Sequence, residues 1–273
     1  MSKISVLILN TLALSVIVFT TIAHSRELLV VSSDGPPHMI AANNSGIDID
    51  IVKNVLMEMG HNVTFKFMPF KRAKLQVQSQ KADIFLPTFY QQANDKIFIS
   101  NAFIHYRPMI FSLKKSGLVL NKISDLKGLR IISFQGATGY FGEEFKEVTT
   151  QSRYTESTDM SKLPQLLLLE RCDIVVLDYY IFYYFLKKYQ EQNEMVNKML
   201  FPLIDNYSPL VKTHDLIPQV NAYAGFNNKT LRDQFDKTLE KFIQNNKHKD
   251  IIEKYIGIIN SKVIHQSSSV HSD

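Results

Sequence analysis

The sequence predicts an α/β protein built from two similar lobes, and three observations carry that expectation. The first is a strand, glycine loop and helix unit at 130–146. Arg130-Ile131-Ile132-Ser133-Phe134 is a short apolar run with β-branched residues, Gln135-Gly136-Ala137-Thr138-Gly139 follows it, and Tyr140 to Lys146 opens a helix with acids near its positive end. The second is an internal echo. Lys81-Ala82-Asp83-Ile84-Phe85-Leu86-Pro87-Thr88-Phe89-Tyr90 parallels Arg171-Cys172-Asp173-Ile174-Val175-Val176-Leu177-Asp178-Tyr179-Tyr180. Each copy runs from a base, a small residue and an aspartate through an apolar strand to a polar end residue and two aromatics. The third is that each copy follows an expected helix, 73–80 or 161–170, and lies downstream of a strand-loop unit, 28–37 or 130–139. Two copies of a βαβ pattern imply two α/β lobes.

Composition narrows the function. With 273 residues and 45% hydrophobic content the chain can build one or two domains with real cores. The net charge of +5 comes without a lysine-arginine block, so nothing argues for nucleic acid. A single cysteine, Cys172, excludes an internal disulfide and a cysteine-cluster metal site. It precedes the apolar run 174–177 and reads as a buried, inert thiol. No His/Asp/Glu spacing fits a metal site, and no cofactor is implied. The many tyrosines and phenylalanines belong by default to the core, with some available to wall a ligand site.

In chain order, residues 1–25 read as a secretory signal. Lys3 gives the positive start, 4–22 is mostly apolar, and Ala23-His24-Ser25 offers small residues for cleavage before Arg26. The alternative is an uncleaved anchor, since the apolar run approaches a membrane span. No cysteine at the exit marks a lipoprotein. A first strand covers 27–32, and Asp34-Gly35-Pro36-Pro37-His38 is a turn. Asp48 or Asp50 caps a helix with Ile51, Val55, Leu56 and Met59 on one face, ended by Gly60. Residues 63–67 alternate as a strand, a helix runs through Gln80, and 83–86 is the next strand. Ser124 to Gly128 is a short helical turn. No structure is assigned to 191–215. Tyr223 to Phe226 is a short strand, Leu231, Phe235, Leu239 and Phe242 mark an amphipathic helix, and Ile251, Ile252, Tyr255 and Ile256 mark a last one. Residues 263–273 form a serine-rich tail expected to be disordered.

The chemistry concentrates at the strand ends, where ligands of α/β sheets sit. Thr88 and Asp178 hold equivalent ends, so they either face each other across a cleft or cap the turns that follow. The cleft reading is preferred, because an aspartate directly after four apolar strand residues is costly to desolvate without a partner. The loop from Gly136 to Thr138 aims free N–H groups outward and suits an anion; its alternative is an ordinary tight βα turn. It is not a nucleotide P-loop, because no Gly-Lys-Ser/Thr follows.

Together these pieces resemble the periplasmic solute-binding proteins of the polar amino-acid type, family 3, over essentially the whole mature chain. The residues that carry the resemblance are Pro36-Pro37, Gly46-Ile47-Asp48-Ile49-Asp50, Lys81-Ala82-Asp83, Ile99-Ser100, Asp125-Leu126-Lys127-Gly128, Gly136-Ala137-Thr138, Asp173 with Asp178, and Ile252-Glu253-Lys254-Tyr255-Ile256-Gly257. The resemblance implies a type II, periplasmic binding protein-like fold whose two lobes close on a small solute. The lobes are expected at 26–105 with 222–262, and at 106–221. The crossings are expected near Phe103–Arg107 and Gln219–Tyr223, with the C-terminal helices returning to the first lobe. It also implies that Asp178 holds an α-ammonium, that the Gly136–Thr138 loop holds an α-carboxylate, and that Thr88 contacts the ligand. Two positions depart from the family pattern. Ala93 stands where an arginine meets the carboxylate, and His38 stands where an aromatic follows the double proline. Both count against a standard α-amino acid. Phe70 matches an aromatic that stacks on the ligand, with core packing as its alternative, and Arg72 is a nearby cation or simply a solvated helix residue.

The expected function is a periplasmic receptor that passes a small polar, amino-acid-like solute to the membrane permease of an ABC importer, acting as a monomer. An enzyme on the same scaffold, such as a dehydratase or lyase, would need a positioned acid and base, for which His38 with Asp50 or Asp178 is the available set. His105 and His214 are isolated. A ligand sensor with a membrane partner is a third reading.

Overall fold

The computed structural model describes residues 27–89, 96–192 and 210–257. The expectations for the signal segment, for Ala93 and for the tail fall outside them. Two sheets form the framework. The first joins β2 (Asn62–Phe67), β1 (Glu27–Ser32) and β3 (Ile84–Thr88) in parallel, then β11 (Val220–Phe226) and β4 (Phe98–Ile99) antiparallel, with β5 (Ile104–Tyr106) also on β11. The second has the order β10 (Val211–His214), β6 (Pro108–Leu113), β9 (Ile174–Asp178), β7 (Arg130–Phe134), β8 (Arg153–Ser157). Its last three strands are parallel and its first two pairings antiparallel. The chain passes from the first sheet to the second at Arg107 and returns between His214 and Val220.

The echo in the sequence is a shared way of closing a βαβ unit. In the first sheet Leu29 donates its N–H to the Asp83 carboxylate at 2.9 Å, and Asp83 returns its own N–H to the Leu29 carbonyl at 2.9 Å. In the second, Arg130 N–H reaches the Asp173 carboxylate at 2.8 Å and Asp173 N–H reaches the Arg130 carbonyl at 2.9 Å. The repeat extends further. Ser32 Oγ donates to the Leu86 carbonyl at 2.8 Å and Ser133 Oγ to the Val176 carbonyl at 2.6 Å. Each aspartate satisfies a strand-end N–H that the ladder leaves unpaired, which is why an acid recurs just before both apolar strands.

Helices cover the sheets. They are α1 (Ile47–Glu58), α2 (Phe70–Gln78), α3 (Ala137–Tyr140), α4 (Glu143–Thr150), α5 (Leu163–Leu168), α6 (Tyr179–Gln192), α7 (Lys229–Gln244) and α8 (Lys247–Ile256). On α1, Ile51, Val52, Val55 and Leu56 are fully buried, each contributing about 1.5–3 kcal/mol of transfer free energy. The helix expected from Tyr140 breaks into α3 and α4 at Gly142, whose φ of +90° leaves the helical region. α6 carried no periodic signal, because Tyr179-Tyr180-Ile181-Phe182-Tyr183-Tyr184-Phe185 is apolar on every side. Tyr179, Tyr180, Phe182 and Tyr183 are all buried in it. Cys172 is buried too, and burial pushes its thiol up to about 12.

The C-terminal helix is tied to the first lobe. Tyr255 Oη accepts the Gly46 N–H at 2.8 Å and donates to Asp50 at 2.7 Å, while Lys254 Nζ meets Asp50 at 2.8 Å. Gly46 has φ +131°, and a Cβ there would lie 2.3 Å from the His38 carbonyl oxygen, so this position admits only glycine. α8 also packs on α6, where Lys187 Nζ donates to the Lys254 carbonyl at 3.2 Å. One continuous buried cluster runs from Leu28, Val30 and Ile47 to Phe111, Tyr179 and Phe182. Asp83→Ala leaves the Leu29 N–H unpaired in a partly buried stretch of β1 and is expected to cost about 1–3 kcal/mol. Urea denaturation monitored by circular dichroism measures it, and an unshifted midpoint would refute the pinning role.

Candidate functional site

Where the two sheets meet, their strand ends bring together one cluster of charged and aromatic side chains. Asp178 ends β9 and caps α6. Its Oδ1 accepts the N–H groups of Tyr180 at 2.9 Å and Ile181 at 3.2 Å, and its Oδ2 accepts the Arg107 N–H at 2.6 Å. The crossing residue is thereby pinned twice, since the Arg107 carbonyl accepts the Tyr179 N–H at 2.8 Å and its guanidinium lies 5.0 Å from the Tyr179 ring. The Asp178 side chain is nearly closed to solvent.

His38 reaches Asp178 from the first lobe. It sits in a turn held by the Gly35 and Met39 backbones, which exchange hydrogen bonds at 2.7 and 3.0 Å. Its Nε2 is 3.5 Å from Asp178 Oδ1 and its Nδ1 is 2.7 Å from Asp48 Oδ1. The ring stacks on Tyr106 with centroids 3.9 Å apart and meets the edge of Tyr180 at 5.6 Å. Tyr106 donates its hydroxyl proton to Asp48 Oδ2 at 2.7 Å. Both ring nitrogens therefore face carboxylates, and the imidazolium, a donor at each nitrogen, satisfies both. Burial alone would drive the imidazole neutral, but Asp48 and Asp178 outweigh it and raise the His38 pKa from 6.5 to about 9. Burial and then Asp48 hold the Tyr106 phenol well above its ordinary value.

At the end of β7 the glycine loop takes the shape its sequence requires, with Gly136 at φ +88°. Its N–H groups meet a carboxylate of the protein itself. Gly136 donates to Glu156 Oε2 at 2.9 Å, and the Tyr154 hydroxyl donates to Oε1 at 2.8 Å. The Thr138 amide and hydroxyl also face this carboxylate. These donors, the Gly136 N–H first, hold Glu156 below the usual carboxylate range although it is exposed. Tyr140 follows the loop and is set edge-on to Phe134.

The remaining predicted residues belong to the first sheet and to α2. Thr88 ends β3, buried, opposite Tyr223 of β11. Phe70 opens α2 with its ring edge-on to Phe85 at 6.0 Å, packed against the cluster of Val31, Ala73 and Val77. Arg72 is exposed on α2. Sequence reasoning missed Asp48, Tyr106, Tyr180 and Glu156 as members. A signal for Asp48 existed: it lies three and seven residues before Ile51 and Val55, on the apolar face, where a carboxylate needs a buried partner. Asp50, paired with His38 in the enzyme reading, instead belongs to Tyr255 and Lys254. Among the described residues no His/Cys/Asp/Glu group could hold a metal ion, and no helix is long and apolar enough to cross a membrane.

The raised pKa of His38 has a definite consequence for stability. Protonation favours the folded chain, so the contribution is complete below pH 6.5 and is lost as pH rises through about 9. The urea midpoint is expected to fall across that window in the wild type and to be flat there in His38→Gln. A wild-type midpoint that rises, or stays level, between those values would refute a buried imidazolium.

The sequence profile of the bacterial extracellular solute-binding proteins, family 3, matches residues 28–258. No curated protein matches the chain. Among solved structures, an ancestral cationic amino acid solute-binding protein is similar with a TM-score of 0.65 at 16% identity, covering 84% of this chain and 95% of that one. The L-cystine solute receptor of Neisseria gonorrhoeae, in an unliganded open conformation, is similar with a TM-score of 0.61 at 14% identity, covering 86% and 94%. The substrate-binding protein of an amino acid ABC transporter is similar with a TM-score of 0.50 at 18% identity, covering 85% and 100%. At these identities the structural likeness establishes the two-lobed fold alone.

Proposed function

Since the chain belongs to the bacterial extracellular solute-binding proteins, family 3, we propose that it captures a small polar, amino-acid-like solute between its lobes and delivers it to the permease of an ABC importer. We assign the first lobe to the sheet of β1–β5 with β11 and the second to the sheet of β6–β10, the chain crossing at Arg107 and between His214 and Val220. The observation that carries this reading is the cluster at the meeting of the sheets, where Asp178 of one lobe contacts His38 of the other. A solute seated beside that contact touches both lobes, and contacts made only when they are together favour the closed state. Thr88, Phe70 and the Gly136–Thr138 loop are assigned to ligand contact as well, with Arg72 at the margin. The delivery partner is inferred from relatives that serve amino acid transporters. The protein works as a monomer in the periplasm after cleavage before Arg26.

The enzyme reading has less support. Both nitrogens of His38 are committed to carboxylates, so no ring nitrogen is left to take a substrate proton.

Protein purified without denaturant is expected to release a small polar solute on denaturation, identified by mass spectrometry. Adding that solute back to the stripped protein should compact it in small-angle scattering. Unchanged scattering at saturation would remove the closure mechanism, and chemical turnover of the solute would favour the enzyme. N-terminal sequencing of periplasmic protein should begin at Arg26; an intact Met1 on membrane-bound protein would refute export by cleavage.

A further inference from the structure

The acidic seat at Asp178 is already taken. We propose that His38 is a specificity-determining residue: its imidazolium occupies the position beside Asp178 that a ligand cation would need, so the cleft selects a polar solute with no ammonium group at that end. The proposal rests on the receptor reading above.

The geometry leaves an ammonium no room on the Asp178 oxygen that faces the first lobe. Asp178 Oδ1 faces Tyr180 N–H, Ile181 N–H and His38 Nε2, and Oδ2 accepts Arg107 N–H. Three donors crowd Oδ1 and the buried Arg107 N–H takes Oδ2, so an incoming cation meets oxygens that are already shared. Every group that faces the imidazole is likewise engaged. Asp48 of α1 gives one oxygen to His38 and the other to Tyr106, while Tyr106 of β5 covers one ring face and Tyr180 of α6 meets its edge. Two carboxylates and one imidazolium leave one negative charge, and the N-terminal end of α6, worth about half a unit charge, lies against it. A ligand ammonium entering here would displace buried N–H donors or stand beside a like charge, and either is unfavourable. Asp48 and Asp178 outweigh burial and keep the ring protonated at neutral pH. The Gly136–Thr138 loop is not closed in this way, because Glu156 is exposed and can yield its place.

Calorimetric titration of the full mature chain tests this with matched probes: L-phenylalanine, L-glutamine and L-arginine, each against the carboxylate in which hydrogen replaces the α-amine. Two variants are compared with the wild type. His38→Phe combined with Asp48→Asn removes the imidazolium without orphaning a buried charge, and His38→Gln removes the charge alone. The wild type is expected to bind no amino acid more tightly than its amine-free partner. The double variant is expected to shift that preference toward the amino acid by about tenfold or more. If circular dichroism finds the double variant unfolded, His38→Gln carries the same comparison. A wild type that prefers an amine-bearing probe about tenfold, or a folded variant with no shift, overturns the proposal. The first outcome leaves the receptor reading intact. A protein that releases no solute on denaturation and binds no probe in any form overturns both.

Discussion

The carboxylate of Asp178 holds this structure together at its centre. It caps α6, fixes the backbone of Arg107 where the chain crosses between sheets, and meets the His38 ring of the opposite lobe. A carboxylate buried at a strand end is expensive unless its lone pairs are filled, and here the donors come from three parts of the architecture, the first turn of α6, the Arg107 crossing and His38. Helix start, interlobe crossing and lobe contact therefore depend on one charged group. Asp48 plays the corresponding part inside the first lobe, shared between His38 and Tyr106.

The two lobes follow one plan with different contents. Asp83 and Asp173 close their βαβ units with the same pair of backbone bonds, and Ser32 and Ser133 repeat the same cross-strand link. Arg130 adds a bidentate contact to Asp173 at 2.6–3.2 Å, beyond the backbone pair common to both lobes. At the functional ends the plan diverges. The first lobe ends its equivalent strand on the neutral Thr88, the second on the acidic Asp178, so one position of a repeated frame makes the two strand ends chemically different.

The lobes are joined by more than two crossings. α6 packs against α8, and a continuous apolar cluster passes from the first sheet to Tyr179 and Phe182. Charges are buried at one end of that core, where Arg107, Asp178, His38 and Asp48 sit among aromatic rings.

The sequence by itself determined the α/β class, the doubled βαβ unit, and the need of Asp178 and the glycine loop for partners. Periodicity and residue chemistry are local, and these features are local. It left α6 unseen, because a helix apolar on every side has no period to read, and it left the identity of the partners open. Only the tertiary structure decided that Asp178 is met by His38, 140 positions away in sequence, and that Glu156 lies across the glycine loop. The residue types announced a cation and an anion. Which ones arrive depends on how two lobes are set against each other, a relation between distant segments that no short stretch of chain contains.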